Sequence, residues 1–168
     1  WKKINDEGEQ GLVSLETALR ATCAPSRVLD LLANFVAYVE MPGGLVKALA
    51  KNHQFLGVNN TIDAIREAKQ RDGRLGVFWH TQGSGKSLSM LWFTQKVLRT
   101  MPGNWTFVMV TDRKELDHQL YETFADADAV TTGTNVHAET SAHLRELLSV
   151  DHRYVFTLIH KFQTEPGA

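Results

Sequence analysis

The chain has 168 residues, 22% of them charged, and a formal net charge of −1. That length suits one domain, or one domain with an appendage, and the balanced charge excludes a global basic field, so any DNA contact must be local. The single cysteine, Cys23, excludes an internal disulfide and fits a reducing cytoplasm, while no apolar run approaches the roughly 18 residues of a membrane span and no signal-peptide pattern opens the sequence.

Residues 1–14 are polar and end in a candidate N-cap, Ser14, before a helical pattern through Leu15, Ala18 and Leu19 that closes near Pro25. Ser26 reads as the N-cap of a second helix, residues 28–38, with Leu31, Phe35 and Tyr38 on one face. Pro42-Gly43-Gly44 breaks the chain. Residues 1–44 therefore form a helical lead-in, and the rhythm from residue 45 onward alternates helices and strands. Phe55, Val58, Ile62 and Ile65 predict a helix over 54–68, stopped by the turn signal Arg71-Asp72-Gly73-Arg74. A strand is expected over 76–80, and a helix from about Lys86 to Arg99. The nearly apolar run 105–110 predicts a parallel strand buried on both faces. A helix over 115–124, a very short strand at Ala129-Val130, a helix over 141–149 capped by Ser141 and a strand over 154–159 complete the series. Such alternation predicts an α/β fold with a parallel sheet, whose ligands gather at the carboxyl ends of the strands.

One of those ends carries the most chemistry. His80-Thr81-Gln82-Gly83-Ser84-Gly85-Lys86-Ser87 lies where a predicted strand turns into a helix. Gly83 and Gly85 let the backbone turn successive N–H groups toward an anion, and the following helix presents its positive end to the same place. Lys86 supplies charge for β/γ-phosphates and Ser87 a hydroxyl for Mg²⁺. The pattern G-x-x-x-x-G-K-[ST] is met except at its first position, held by His80. A chance Gly-Ser-Gly-Lys-Ser loop is the alternative, and the strand and helix around it weigh against that reading.

Other strand ends are ambiguous. Thr111 and Asp112 suit helix capping, with Arg113 a solvated charge, yet a hydroxyl, helix-end N–H groups and an arginine also suit a phosphodiester backbone. Thr157 and Lys161 invite the same two readings. Gln54, with His53 before it, offers an amide that both donates and accepts, as an adenine edge requires, but a polar residue ahead of a helix often has no such role.

Lys51-Asn52-His53-Gln54-Phe55-Leu56-Gly57-Val58-Asn59, then Trp79 through Ser87, then Val110-Thr111-Asp112-Arg113-Lys114-Glu115-Leu116-Asp117-His118-Gln119-Leu120 occur in that order. Together with Leu29–Phe35 they resemble the restriction (R, motor) subunit of type I restriction-modification enzymes, a superfamily 2 helicase-like DNA translocase. The resemblance implies residues 45–168 as the N-terminal part of a RecA-like lobe with a P-loop parallel sheet, and residues 1–44 as a lead-in. It implies Gln54 as the adenine-reading residue, Thr81, Gln82, Gly83, Ser84, Gly85, Lys86 and Ser87 as the ATP and Mg²⁺ site, with Lys86 and Ser87 the residues that act on the nucleotide. It implies Thr111, Asp112 and Arg113, with Thr157 and Lys161, along a double-stranded DNA track.

By the same resemblance the whole protein is an ATP-dependent type I site-specific deoxyribonuclease, cytoplasmic, working with methyltransferase and specificity subunits. The 168 residues depart from the family in several places. They contain no Asp-Glu-Ala-His or Asp-Glu-Ala-Asp box; the adjacent acidic pair, Asp6-Glu7, does not follow a buried strand. A second RecA-like lobe, its arginine finger and a nuclease domain are also missing, so little ATPase or nuclease activity is expected of this stretch by itself. The alternatives from other classes are a P-loop phosphotransferase or signalling NTPase, and a noncatalytic scaffold.

Overall fold

The computed structural model describes residues 15–130 and 136–163. Ser14, Asp6-Glu7 and the closing Pro166-Gly167-Ala168 lie outside the described residues. The chain divides into two compact units, Trp1–Met101 and Pro102–Ala168.

The first unit begins with α1 (Leu15–Thr22) and α2 (Pro25–Asn34). Pro25 occupies the first turn of α2, where its missing N–H costs nothing, and the N-cap is Ala24 rather than Ser26. The second helix ends four residues earlier than its apolar spacing predicts. Val36, Ala37 and Tyr38 belong instead to β1 (Val36–Met41), which pairs antiparallel with β2 (Gly44–Leu49), from Val36 opposite Leu49 to Met41 opposite Gly44. Pro42-Gly43-Gly44 is thus the bend of a hairpin. Next come α3 (Asn52–Arg66), a short 3₁₀ turn at Ala68–Arg71, and α4 (Lys86–Thr100).

The core of this unit gathers where α2, α3 and α4 meet. Phe35, just past α2, packs against Phe55 of α3 at 4.8 Å and Trp92 of α4 at 6.3 Å between ring centroids. Leu31, Val58, Ile62, Leu91 and Val97 complete the buried set. One ionic group joins the three helices. Lys96 Nζ donates to Asp30 Oδ1 at 2.5 Å and to Asn59 Oδ1 at 2.6 Å, and lies 5.0 Å from the Phe35 ring centre. Asp30 also accepts from Asn34 Nδ2 at 2.8 Å and from Asn59 Nδ2 at 3.3 Å. A buried ammonium tolerates such a place only when paired and hydrogen-bonded.

The segment 74–80 forms no β-ladder among the described residues, unlike the strand expected over 76–80. Its side chains alternate as in a strand: Val77 and Trp79 are each 88% exposed, while Phe78 and His80 turn inward.

In the second unit, β3 (Phe107–Thr111) pairs parallel with β4 (Tyr154–Leu158), Phe107 opposite Tyr154 and Thr111 opposite Leu158. Between them come α5 (Lys114–Ala125) and α6 (Ser141–Ser149), and a 3₁₀ turn, Ile159–Phe162, follows β4. On its other edge β4 is bridged by His137 opposite Phe156, with Ala138 N–H donating to the Phe156 carbonyl at 2.9 Å. β4 is therefore interior and buried at all five positions. β3 is buried on one face: Met109 is covered while Val108 and Val110 are exposed, against the expectation of burial on both. The third extended segment is 136–138 rather than Ala129-Val130, where the chain makes a turn through Asp128. The cap of α6 is Thr140, whose Oγ1 accepts from His143 N–H at 3.1 Å, one residue before the expected Ser141. The observed class is mixed α/β, and parallel pairing is present in β3 and β4.

Breaking the Lys96 pair from one side leaves a charge with too few partners. Lys96→Met is expected to cost about 3 kcal/mol or more, whereas the double change Lys96→Met with Asp30→Leu should recover most of that loss. Urea denaturation midpoints of the three proteins decide between this and a dispensable pair.

Candidate functional site

The glycine-rich loop folds as a cradle at the head of α4. Gly83 (φ +75°) and Gly85 (φ +82°) both sit in the left-handed region, which reverses the chain and directs main-chain N–H groups to one side. Gly85 is the N-cap of α4 and carries no capping side chain, so the first-turn N–H groups of this 15-residue helix face the loop. Lys86 crosses that mouth: its Nζ donates to the carbonyls of His80 and Thr81, each at 3.0 Å. Thr81, Gln82, Gly83 and Lys86 are exposed, and Ser84, Gly85 and Ser87 partly so. The Ser84 hydroxyl is buried without a protein partner. A polyanion suits the chemistry of these residues, which combine left-handed glycines at a helix N-terminus with one exposed ammonium. For a divalent cation the fit is narrower. Ser87 supplies a hydroxyl, and no cluster of three or more acidic, His or Cys side chains occurs among the described residues.

The loop is gripped from α3. Gln54 is 2% exposed, and its whole amide is engaged. Oε1 accepts from the Lys51 N–H at 2.8 Å, the reach back of a third helical residue to the cap. Nε2 donates to the carbonyls of Gly85 at 2.9 Å and Ser84 at 3.3 Å. His53 Nε2 lies 3.2 Å from the same Ser84 carbonyl. A Cβ on Gly85 would stand 2.7 Å from Gln54 Nε2, so a side chain there would push the bonded Gln54 amide aside, on top of the strain at its φ.

In the second unit, Thr111 ends β3, with Asp112 and Arg113 exposed after it. The Asp112–Arg113 contact, 3.4 Å in open solvent, contributes little. Arg113 is the N-cap position of α5, and no side chain caps that helix. Thr111 has another partner: its Oγ1 donates to Asp117 Oδ1 at 3.1 Å. Asp117 is 5% exposed and also meets His137 Nδ1 at 3.1 Å through Oδ2. His137 stacks on Phe156 and takes the edge of Tyr121. Burial holds the His137 pKa below its ordinary 6.5, against the opposing Asp117 carboxylate, with nearby Lys161 and His118 charges adding to the depression. The Lys161 ammonium donates to the Ala138 carbonyl. Thr157 is 0% exposed, inside β4, so its side chain does not reach a rim where a DNA backbone could pass.

Residues 53–168 match the SWI2/SNF2 ATPase family. The chain belongs to the SWI2/SNF2 ATPase family. It is 35% identical over 172 residues to the type I restriction enzyme HindI endonuclease subunit of Haemophilus influenzae, covering 96% of this chain and 16% of that protein. It is 30% identical over 156 residues to a Methanocaldococcus jannaschii protein assigned as the MjaIXP type I restriction enzyme endonuclease subunit, covering 89% of this chain and 14% of that one. The chain thus spans about a sixth of these relatives. The resemblance to type I motor subunits holds across nearly all of its length.

Within this SWI2/SNF2 ATPase chain the structure brings Gln54 to the loop residues 84–85, and the loop to Lys86 and Ser87. It separates Thr157 from the exposed Thr111-Asp112-Arg113 by burial. Asp117 and His137 were not singled out from sequence. An acid in the first turn of a helix is ordinary on dipole grounds, and no spacing rule ties it to a histidine twenty positions on.

Two outcomes follow. Gly85→Ala is expected to destabilise by about 1–3 kcal/mol through its left-handed backbone and to lose more than Gly83→Ala, where nothing stands within 4 Å of a new Cβ; equal denaturation midpoints would contradict the Gln54 packing. For His137, the unfolded chain takes up its proton at a higher pH than the folded one. Its stabilising share is therefore present above about 6.5 and lost as pH falls from there through the depressed folded value. Denaturation midpoints across that window should fall less steeply in His137→Gln than in the wild type.

Proposed function

We propose that this chain is the ATP-binding portion of an ATP-dependent, DNA-translocating restriction endonuclease subunit of a type I system. The observation that carries the reading is the loop at the head of α4, with two left-handed glycines, Lys86 across its mouth and Gln54 bonded to its last two carbonyls. Lys86 and the loop amides would hold the β- and γ-phosphates, and Ser87 would offer its hydroxyl to Mg²⁺. Bound ATP with Mg²⁺ supplies the phosphoryl chemistry that drives movement on DNA. Gln54 would read the adenine, exchanging one of its present partners for the base edge. In this reading residues 76–80 are a strand of a parallel sheet, and residues 45–168 belong to one RecA-like lobe with residues 1–44 as its lead-in.

Double-stranded DNA would run past Thr111, Asp112 and Arg113, with Lys161 in the turn that follows β4; Thr157 is left out because of its burial. Asp117 would orient Thr111 by accepting its hydroxyl proton, leaving the hydroxyl oxygen outward. Methyltransferase and specificity subunits would complete the complex, and cleavage would belong to the whole protein. The SWI2/SNF2 match and the names of the two relatives support this assignment over a phosphotransferase.

Calorimetric titration with ATP and Mg²⁺ tests the reading on this chain. Saturable binding is expected, and Lys86→Ala should weaken it at least tenfold, the loss of about one charge-assisted contact. Hydrolysis should stay slight, since the 168 residues hold no Asp-Glu box to orient water. No saturable heat from the folded protein would favour a scaffold, and brisk turnover abolished by Lys86→Ala would overturn the expectation of slight hydrolysis.

A further inference from the structure

We infer that His53 is a positioning residue of the nucleotide site: it sets the direction of the phosphate-loop amides by holding the Ser84 carbonyl, and its ring makes room in the loop for His80 where a glycine is usual. The inference rests on the nucleotide reading above for its consequence, but not for its geometry.

The Ser84 carbonyl only accepts, so His53 Nε2, 3.2 Å away, is the donor, and the ring carries a proton on Nε2. Gln54 Nε2 shares that carbonyl at 3.3 Å and takes the Gly85 carbonyl at 2.9 Å. A trans peptide is planar, with its C=O and the next N–H pointing in opposite directions. Drawing the Ser84 carbonyl toward α3 therefore turns the Gly85 N–H away from α3. Drawing the Gly85 carbonyl the same way does likewise for the Lys86 N–H. Two successive donors are aimed by two adjacent residues on one helical turn.

The rings explain the departure at position 80. The His80 ring meets the His53 ring edge-on, 4.6 Å between centroids and 88° between planes, and meets Phe78 at 4.2 Å and 71°. Phe78 in turn lies on α3 at Gly57, where an added Cβ would stand 2.1 Å from its ring. His53, Gly57 and the inward side chains of 78 and 80 thus form one packed strip, and a histidine at position 80 occupies space that α3 has shaped for it. A loop glycine at that point is unnecessary because the bulk is directed into the strip, away from the anion.

Two substitutions separate the bond from the packing. His53→Phe keeps the ring and removes the donor; His53→Gln keeps a donor of similar reach. In the 168-residue chain, His53→Phe should weaken binding of ATP and of inorganic tripolyphosphate by about five- to tenfold, as loss of one hydrogen bond does. Adenosine binding should be unchanged, and His53→Gln should stay within about twofold of wild type on the same hydrogen-bond scale. Amide hydrogen exchange without nucleotide supplies the second readout: Gly85 and Lys86 should exchange faster in His53→Phe than in wild type or His53→Gln. Wild-type exchange rates in His53→Phe, or equal losses in the Phe and Gln variants, would overturn the assignment. A wild-type chain that binds neither ATP nor tripolyphosphate would overturn the nucleotide reading instead, with the exchange data still deciding the role of His53.

Discussion

The first turn of α3 is fastened to the end of the glycine-rich loop, and the geometry of the first unit depends on that attachment. Gln54 is buried with an amide that must be satisfied inside the protein, because an unpaired buried amide costs about 1–3 kcal/mol. Its three hydrogen bonds join the cap of α3 on one side to the last two loop carbonyls on the other. Gly85 is the counterpart. A side chain there would collide with the amide, and its left-handed φ is what lets the loop enter α4 at that point.

The buried ion pair acts on the same two helices further along. Lys96 lies near the far end of α4, Asn59 in the middle of α3, and Asp30 on α2. An ammonium at 10% side-chain exposure cannot be left facing apolar carbon, so the pair fixes how α3 and α4 are aligned. Helices aligned there place Gln54 opposite Gly85 at their other ends. The second unit uses a carboxylate in the same way. Asp117 is buried by α5 and β3, and it takes its two hydrogen bonds from Thr111 and His137, one from the strand end and one from the segment beside β4.

The helices were legible because their apolar spacing is local: α3, α4, α5 and α6 lie within two residues of where periodicity puts them. The hairpin was not. Val36, Ala37 and Tyr38 continue a helical stripe, and what turns them into a strand is pairing with Gly44–Leu49, a run with no clean alternation of its own. The opposite failure occurs at 76–80, where an apolar run reads as a strand but has no ladder. A strand is defined by a neighbour's hydrogen bonds as much as by its own residues. The glycines, Lys86 and Ser87 were visible as a motif because their chemistry demands a fixed spacing. Gln54 by its residue type alone was a polar residue before a helix, and only the resemblance to type I motor subunits marked it as a site residue, since its partners lie thirty positions away.

The resting position of Lys86 bears on what the loop selects. Its ammonium already holds two carbonyls, so a ligand gains from it only by offering something better than a neutral acceptor. Hydrogen bonds between ionised partners are roughly twice as strong as neutral ones, and on the proposed reading a phosphate would also meet the loop amides. A neutral or singly charged ligand would exchange two good contacts for one and gain little. On the proposed reading, a polyphosphate would replace both carbonyls and add charge at the head of α4, where the helix dipole favours it. On the proposed nucleotide reading, selectivity for a phosphate chain over a neutral ligand would lie in this exchange, which needs the loop carbonyls kept where α3 holds them.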